Sequence, residues 1–255
     1  MPITVEADAG VATVSIAGRG RANTLTPELC VELHEALVAG DADAGVRVII
    51  LRGANGGAFS AGMDAAALSA LLDDLQTLKG VSRHYVYPAA QRPLSPWVAW
   101  RSLFARRTVK PVVAAVRGEC LGFGLVLLGL HTDLRIAAES ARFGFPDIHE
   151  GSGSAQALVS RLTRQIPVAA VHWLVQTGLP LDAHAAHRYF LVNEVVSDAQ
   201  LDARARAVAL QIAARPAAAL RAEKLAAIHL ETAGYADAVV LGAALAATAG
   251  GAGGA

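Results

Sequence analysis

The chain has 255 residues, of which 54% are hydrophobic and 17% are charged, so it can bury one sizeable core, or a core plus a small appendage. Its 22 basic and 22 acidic side chains balance, and no basic stripe stands out, which argues against nucleic acid as a partner. Cys30 and Cys120 lie in apolar contexts, which predicts free thiols in a reducing compartment. No signal-peptide pattern and no bilayer-spanning apolar run is present, so we expect a soluble cytoplasmic protein with no membrane partner.

The first third of the chain alternates between strand and helix patterns. Residues 10–16 (GVATVSI) alternate in polarity as a half-buried strand does. Thr26 and Pro27 then predict the start of a helix, with threonine as the cap and proline in the first turn. Residues 46–53 (VRVIILRG) are nearly all apolar, which is typical of a parallel strand buried on both faces.

A second strand-to-turn unit lies in the middle of the chain. Residues 111–116 predict a strand, and LGFG at 121–124 predicts a glycine turn. An apolar helix pattern continues to Leu130, and residues 133–138 (DLRIAA) predict the next strand. Strands that alternate with helices indicate an α/β fold with helical crossovers.

The C-terminal part has a different pattern. From Ser154 onward the sequence predicts helices, with one short apolar interruption at 191–196 (LVNEVV). The final GGAGGA cannot bury enough surface to become ordered. Pattern alone therefore divides the chain into a strand-rich core at 1–190, a helical region at 191–249 and a disordered tail at 250–255.

Two turns have the composition of an anion site. GAFSAGMD (57–64) follows one predicted strand, and LGFG (121–124) follows another. A strand that ends in small residues and turns into a helix leaves N–H groups unpaired at the helix start, where the helix dipole favours negative charge. One such turn often serves only tight packing. Two of them in one α/β chain indicate an oxyanion hole with two backbone donors.

The sequence resembles the crotonase superfamily, the enoyl-CoA hydratase/isomerase proteins, from about residue 3 to residue 245. The matching segments are ANTLTPEL (22–29), VRVIILRG and FSAGMD (46–64), KPVVAAVRGECLGFG (110–124), DLRIAAESARFGFPDI (133–148), SRL (160–162) and TGLPLDAHAAHRYFLVNEVV (177–196). The resemblance implies a β-β-α spiral core closed by helices, with a C-terminal region that joins subunits into trimers or hexamers. It also implies an acyl-CoA substrate, whose enolate two backbone N–H groups stabilise, with no cofactor beyond the CoA of the substrate and no metal.

The resemblance assigns the two donors by position. The first is the amide of Met63, after Ala-Gly in FSAGMD, and the second is the amide of Phe123, between Gly122 and Gly124. The family has glycine where Phe123 stands. A backbone donor can come from any residue except proline, so we expect Phe123 to serve and its ring to narrow or redirect the acyl pocket.

Further substrate contacts follow from the same alignment by position. Ala61 and Asp64 fall where the family holds the adenine and pantetheine of CoA. Tyr85 lies in a segment that often roofs the acyl pocket in the family, where it either contacts the substrate or covers the core.

The resemblance places the first of the two carboxylates of family hydratases at Val126, or else at Leu125 or Leu127, and none of these is an acid. It places the second at Asp147, which is an acid here. One carboxylate beside an oxyanion hole can move a proton from carbon to carbon. We therefore expect an isomerase, a lyase, or a C–C or thioester hydrolase rather than a two-acid hydratase. His149 and Glu150 are either exposed turn residues or groups near the substrate that activate water.

Two other functions fit the same residues. One keeps the fold but acts on an acyl-carrier-protein thioester in a biosynthetic pathway. The other is a non-catalytic oligomer that binds acyl-CoA. Release of CoA from a ketoacyl-CoA, migration of a double bond, or neither would separate the three functions.

Overall fold

The computed structural model describes residues 2–77, 79, 95–105, 107–151 and 159–230, together with 234, 237, 239–241 and 243–245. The strands are β1 (Ile3–Asp8), β2 (Val11–Ile16), β3 (Val48–Gly53), β4 (Val112–Val116), β5 (Glu119–Leu121), β6 (Leu134–Ala138), β7 (Arg142–Gly144), β8 (Leu181–Asp182) and β9 (Glu194–Val196). The α-helices are α1 (Pro27–Ala42), α2 (Ala65–Leu75), α3 (Pro96–Ala105), α4 (Phe123–His131), α5 (Val159–Leu162), α6 (Val168–His172), α7 (Ala183–Arg188), α8 (Leu201–Ala213) and α9 (Ala217–Leu230). Short 3-10 segments cover Ala54–Gly56 and Pro146–Glu150, and a π-helical turn covers Trp173–Thr177.

The described strands form two sheets. The larger sheet has the order β1-β2-β3-β4-β6-β9, in which β1 and β2 are antiparallel and the remaining neighbours are parallel. The smaller sheet has the order β5-β7-β8, with β5 parallel and β8 antiparallel to β7. The chain steps from β4 in the first sheet to β5 in the second, and again from β6 to β7. This repeated step gives the mixed α/β spiral that the resemblance implied.

The apolar runs of the sequence become the central strands. Every residue of β4 is buried, and β3 is buried except at Arg52, because helices cover both faces of the larger sheet. The main core joins one face of that sheet to α1 and α4. Helix α8 covers the opposite face with Leu201, Ala205 and Ala209.

The start of α1 is as predicted. Thr26 caps the helix, since its hydroxyl accepts a hydrogen bond from the Leu29 amide at 3.4 Å, and Pro27 is the first helical residue. Cys30 and Cys120 are both buried free thiols, also as predicted.

The apolar interruption at 191–196 ends in the strand β9. This strand pairs with β6, with Glu194 opposite Ile136, so the larger sheet continues beyond residue 190. The division of the chain at 190 and the oligomerisation role of the region after it stay predictions. The tail at 250–255 lies outside the described residues.

Within the described ranges, no helix is both long enough and apolar enough to cross a membrane.

Candidate active site

The first predicted turn joins β3 to α2 through residues 57–64. Ser60 is fully buried, and Gly62 lies at φ +100°, a conformation that residues with a side chain rarely adopt. The Ser60 hydroxyl accepts a hydrogen bond from the Gly62 amide at 3.1 Å, which turns the chain just before Met63. The turn ends at Asp64, whose carboxylate accepts a hydrogen bond from a first-turn amide of α2 at 2.9 Å and caps that helix.

The buried side chain of Asn23 holds this turn in place. Its Nδ2 group donates to the carbonyl oxygens of Ile16, Ala58 and Phe59 at 2.9, 3.0 and 2.9 Å. Its Oδ1 atom accepts a hydrogen bond from the Gly18 amide. One side chain therefore satisfies buried backbone groups on both sides of the turn. Sequence analysis gave Asn23 no role, although it stands in the segment ANTLTPEL.

The second predicted turn joins β5 to α4. Gly122 lies at φ +51° and ψ −123°, a conformation that favours glycine, and its amide donates to the Gly144 carbonyl at 3.0 Å. Phe123 follows as the first residue of α4. Gly124 has no room for a side chain, because a Cβ atom there would lie 2.3 Å from the carbonyl oxygen of Ser60. The backbone conformation thus requires glycine at position 122, and the close approach of the first turn requires glycine at position 124.

The two turns lie against each other. A Cβ atom on Gly62 would stand 3.1 Å from the Phe123 amide nitrogen and 3.1 Å from the Leu121 carbonyl oxygen. The Leu121 amide in turn donates to the Ser60 carbonyl at 2.9 Å, which ties β5 to the first turn. The backbone of Met63, next to Gly62, is therefore brought close to the backbone of Phe123.

The amides of Met63 and Phe123 donate no hydrogen bond to the described residues. The backbone on each side of Met63 is paired, since the Leu25 amide donates to Gly62 at 2.8 Å and the Asp64 amide donates to Leu25 at 2.7 Å. Phe123 opens α4, where an N–H group has no acceptor within the helix. Two neighbouring unpaired donors are what an oxyanion hole requires. Their assignment as the donors stays a prediction.

Asp147 places its carboxylate at the second turn. It lies in the 3-10 segment that follows β7, and a Cβ atom on Gly122 would be 2.8 Å from its Oδ2 atom and 3.2 Å from its Oδ1 atom. Oδ2 is buried and makes no hydrogen bond to the described residues. Burial, followed by the nearby charge of Glu150, raises the pKa of Asp147, while its own backbone amide lowers it. The predicted acid/base residue is thus half-buried and lies beside the predicted second donor. Its Oδ2 atom has no hydrogen-bond partner among the described residues.

The other predicted residues around Asp147 occupy different environments. Val126 is buried one turn into α4, and the nine residues Phe123–His131 include no acid. Glu150 and His149 are exposed. The ring of His149 lies against Gly178, where a Cβ atom would be 2.4 Å from its Nε2 atom. The three atoms nearest to the position of a Cβ on Gly122 all belong to the Asp147 carboxyl group.

The residues assigned to CoA have structural partners. The Ala61 amide donates to the Ala22 carbonyl at 2.8 Å. Asp64 caps α2 and also pairs with Arg19 at 3.3 Å. Their contact with CoA stays a prediction, and Tyr85 lies outside the described residues. Within those residues no cluster of His, Cys, Asp and Glu is arranged to hold a metal ion.

An aromatic cluster surrounds the side chain of Phe123. Its ring centroid lies 5.4 Å from that of Phe104 and 6.3 Å from that of Trp100. Trp100 is also 5.2 Å from Trp97, one turn earlier on α3. The Nε1 atom of Trp100 is buried and has no hydrogen-bond partner among the described residues. Trp97 and Trp100 are three residues apart on α3, and the contact of Trp100 with Phe123 joins residues that are distant in the sequence.

Curated proteins with similar sequences include two that act on ring-bearing CoA thioesters. The chain is 32% identical over 225 residues to a (7aS)-7a-methyl-1,5-dioxo-2,3,5,6,7,7a-hexahydro-1H-indene-carboxyl-CoA hydrolase from Mycobacterium tuberculosis, covering 88% of this chain and 83% of the relative. It is 30% identical over 228 residues to an (E)-benzylidenesuccinyl-CoA hydratase from Thauera aromatica, covering 89% of this chain and 82% of the relative.

Solved structures share the fold over nearly the whole chain. An enoyl-CoA hydratase subunit from Geobacillus kaustophilus superimposes with a TM-score of 0.80 at 25% identity, covering 96% of this chain and 88% of that one. An enoyl-CoA hydratase/isomerase family protein from Silicibacter pomeroyi superimposes with a TM-score of 0.77 at 25% identity, covering 96% and 97%. The family model for enoyl-CoA hydratase/isomerase matches residues 6–233. The chain therefore belongs to the enoyl-CoA hydratase/isomerase family of the crotonase superfamily.

Proposed function

We propose that the chain is an enzyme that binds an acyl-CoA thioester and uses Asp147 as its single acid/base carboxylate. The observation that carries the proposal is the buried Oδ2 atom of Asp147, which has no partner among the described residues and lies against Gly122. A carboxylate left in this state beside an unpaired amide is suited to take a proton from a substrate.

The proposed mechanism begins at the thioester carbonyl. Its oxygen accepts hydrogen bonds from the amides of Met63 and Phe123, and the helix dipole of α4 adds a favourable field at the second donor. This stabilises the enolate that forms when Asp147 removes a proton from carbon. Asp147 then returns the proton to another carbon or to a leaving group, so one carboxylate acts first as a base and then as an acid.

The lack of an acidic side chain on α4 favours a mechanism that uses one acid/base residue. A family hydratase uses a second carboxylate near Val126, and that side chain has no ionisable group. Double-bond isomerisation needs only one proton carrier together with the oxyanion hole, because the proton that leaves one carbon returns to another. Hydrolysis also consumes a water molecule: Asp147 takes a proton from the water as its oxygen adds to the carbonyl carbon, and the oxyanion hole holds the resulting oxyanion. Asp147 then gives the proton to the departing thiolate or carbanion as the C–S or C–C bond breaks. A hydrolase is one of the two relatives described above, which supports including hydrolysis among these reactions.

The aromatic cluster favours a ring-bearing acyl group. Phe123 is both the proposed second donor and a member of the cluster with Trp100 and Phe104, so the cluster borders the place where the acyl chain leaves the thioester. Flat side chains pack well against rings, and the buried Nε1 group of Trp100 can donate to a carbonyl oxygen on such a ring. The names of both curated relatives describe ring-bearing acyl groups.

An oligomer is part of the proposal. We infer that the region 191–249 joins subunits into a trimer or a hexamer. The exposed side chains of Val239 and Val240, which are 51% and 71% accessible, support this role because apolar surface of this kind is commonly covered by a partner.

The test compares three reactions with the purified chain. We expect hydration of crotonyl-CoA to be about 10²- to 10⁴-fold slower than in a two-acid family member, since one acid/base is missing. We expect faster double-bond migration in a 3-enoyl-CoA, or faster ring opening or CoA release from a cyclic ketoacyl-CoA.

Three outcomes would contradict the proposal. Ordinary hydration of crotonyl-CoA would show that another residue replaces the missing acid, and Glu150→Gln would then identify it. Tight binding of acyl-CoA without any turnover would favour the non-catalytic function, and turnover only of a pantetheine-linked carrier protein would favour the carrier-protein function.

A further inference from the structure

The segment that carries Asp147 is short and lies near the surface. It is the 3-10 segment Pro146–Glu150, which begins two residues after β7 ends at Gly144, and none of its five residues is buried. Apolar burial therefore does little to fix this segment. Contacts with neighbouring elements must hold the Asp147 carboxylate in its place against Gly122.

The first such contact lies three residues before Asp147. A Cβ atom on Gly144 would be 3.2 Å from both the Cα and the Cβ atoms of Pro180, so the two backbones pack closely. The carbonyl of Gly144 also accepts the hydrogen bond from the Gly122 amide at 3.0 Å. The start of the segment is thus fixed between the second turn and the residues that lead into β8.

The second contact lies directly after Asp147. A Cβ atom on Gly178 would be 2.9 Å from Cγ2 of Ile148 and 2.4 Å from Nε2 of His149. The His149 side chain is exposed, so its ring can rotate away from such an atom. Cγ2 of Ile148 is bonded directly to Cβ, and a β-branched side chain has little freedom at χ1. Ile148 is therefore the rigid part of this contact, and it is bonded to Asp147.

The residues on the other side of both contacts are anchored in the core. Gly178 follows the π-helical turn Trp173–Thr177 and lies at φ +67°. Leu174 in that turn and Leu181 in β8, on either side of residues 178–180, are buried in the main core. Single π-helical turns are frequent at functional sites. Residues 178–180 therefore form an anchored strip that contacts the segment of the acid on both sides of Asp147.

We propose that Ile148 is a positioning residue whose packing against Gly178 holds the Asp147 carboxylate at Gly122. This inference rests on the proposed function, in which Asp147 is the acid/base. Ile148 acts through the backbone that it shares with Asp147 and has no contact with the reacting atoms. Because its side chain is 37% exposed, its truncation removes little buried apolar area and should affect turnover more than stability.

The test moves one methyl group across the contact. Gly178→Ala adds a methyl group where Cγ2 of Ile148 already stands, and Ile148→Ala removes Cγ2. We expect kcat to fall about 10²-fold in Gly178→Ala and about tenfold in Ile148→Ala, with unchanged acyl-CoA affinity, because a misplacement of about 1 Å is enough for such losses. The double variant has one methyl group in the contact again and should be at least as active as Ile148→Ala. Ile148→Val keeps Cγ2 and should recover most of the activity that Ile148→Ala loses.

Gly151→Ala is the matched control. Gly151 ends the same 3-10 segment and lies at φ +77°, but no described atom stands within 4 Å of the position its Cβ would take. This variant introduces backbone strain like that of Gly178→Ala without the contact, and it should keep kcat near that of the parent. Thermal unfolding of each variant shows whether a loss of kcat follows a loss of stability.

A second measurement does not depend on turnover. The titration of the Asp147 carboxyl group is followed by NMR in protein labelled with ¹³C-aspartate, and its signal is assigned by its absence in Asp147→Asn. Displacement of the carboxylate from Gly122 would expose it to water. We therefore expect its pKa in Gly178→Ala to move towards that of an ordinary aspartate, and to return towards the parent value in the double variant.

Three results would overturn the positioning role of Ile148. The first is an unchanged titration of Asp147 in Gly178→Ala. The second is an equal loss of kcat in Gly178→Ala and Gly151→Ala, because strain alone would then explain it. The third is a double variant that is no more active than Gly178→Ala. Failure of the proposed function would look different, since Asp147→Asn would then keep its turnover whatever the titration of Asp147 shows in the Gly178 variants.

Discussion

The carboxylate of Asp147 lies directly against the α-carbon of Gly122, so that a methyl group there would stand 2.8 Å from Oδ2. Gly122 also lies at φ +51°, where a side chain is strained. Gly122→Ala should therefore displace both the acid and the amide of Phe123. We expect a loss of about 10²- to 10³-fold in kcat, as for removal of one oxyanion donor.

Gly20→Ala is the matched control for that experiment. Gly20 lies at φ +62°, but nothing stands within 4 Å of the position its Cβ would take. Gly20→Ala therefore introduces the same kind of backbone strain as Gly122→Ala but no close contact between the new methyl group and a neighbouring side chain. Equal activity losses in the two variants would mean that strain alone, and not the position of Asp147, lowers the rate.

Replacement of the proposed acid/base should separate binding from turnover. Asp147→Asn keeps the size of the side chain and removes its ability to carry a proton. We expect a loss of about 10²- to 10⁴-fold in kcat on whichever substrate the three-reaction test identifies, with acyl-CoA affinity and the circular dichroism spectrum unchanged. Retained turnover would refute the one-acid mechanism, and His149→Gln and Glu150→Gln would then be compared.

The pH dependence of the reaction should report the same group. Burial raises the pKa of Asp147, so it stays protonated to a higher pH than an ordinary aspartate does. Because the proposed first step needs the ionised form, kcat/KM should fall as the pH drops through this raised pKa. The acid limb should lie above the usual range of aspartate and should move to lower pH in Glu150→Gln, which removes a charge that raises the pKa. If the acid limb of the kcat/KM profile does not move in Glu150→Gln, the group that titrates there is not Asp147.

The hydrogen bonds of Asn23 should stabilise the first turn. Asn23→Ala leaves three buried carbonyl oxygens without this donor, and each such loss costs about 1–3 kcal/mol. We expect the free energy of unfolding to fall by about 3 kcal/mol and kcat to fall with it, measured by urea denaturation and by assay. Asn55→Ala is the control, because Asn55 shares the left-handed backbone at φ +52° but is exposed. Similar destabilisation of both variants would assign the effect to backbone conformation.

A buried histidine should make stability depend on pH. His131 bonds through Nε2 to the Leu103 carbonyl at 2.7 Å, and burial lowers its pKa from 6.5 to about 4. The folded protein thus holds this ring neutral, so its stability is fully present above pH 6.5 and falls as the pH drops towards 4. Between pH 7 and pH 4.5 we expect the parent to lose about 2 kcal/mol more than His131→Gln does. His184→Gln, at an exposed position, should behave as the parent, and an unchanged pH dependence in His131→Gln would contradict the prediction.

The sequence by itself determined the local elements and the family of the chain. Thr26 and Pro27 predicted the start of α1, and the apolar runs predicted β3 and β4, because caps and burial patterns depend on neighbouring residues. The small residues of both turns, and valine instead of an acid at position 126, could likewise be recognised from the sequence alone. The strand β1 was missed, since most of it is exposed and its polarity pattern is weak.

Only the tertiary structure decided which distant residues meet. The strands β5, β7 and β8 have three residues or fewer, too short for a periodic signal, and they exist because the chain steps between two sheets. The contact of Asp147 with Gly122, the bonds of Asn23 to the turn and the packing of Ile148 against Gly178 each join residues from separate elements. No local pattern encodes such contacts, because they arise when packing of the whole core brings those elements together.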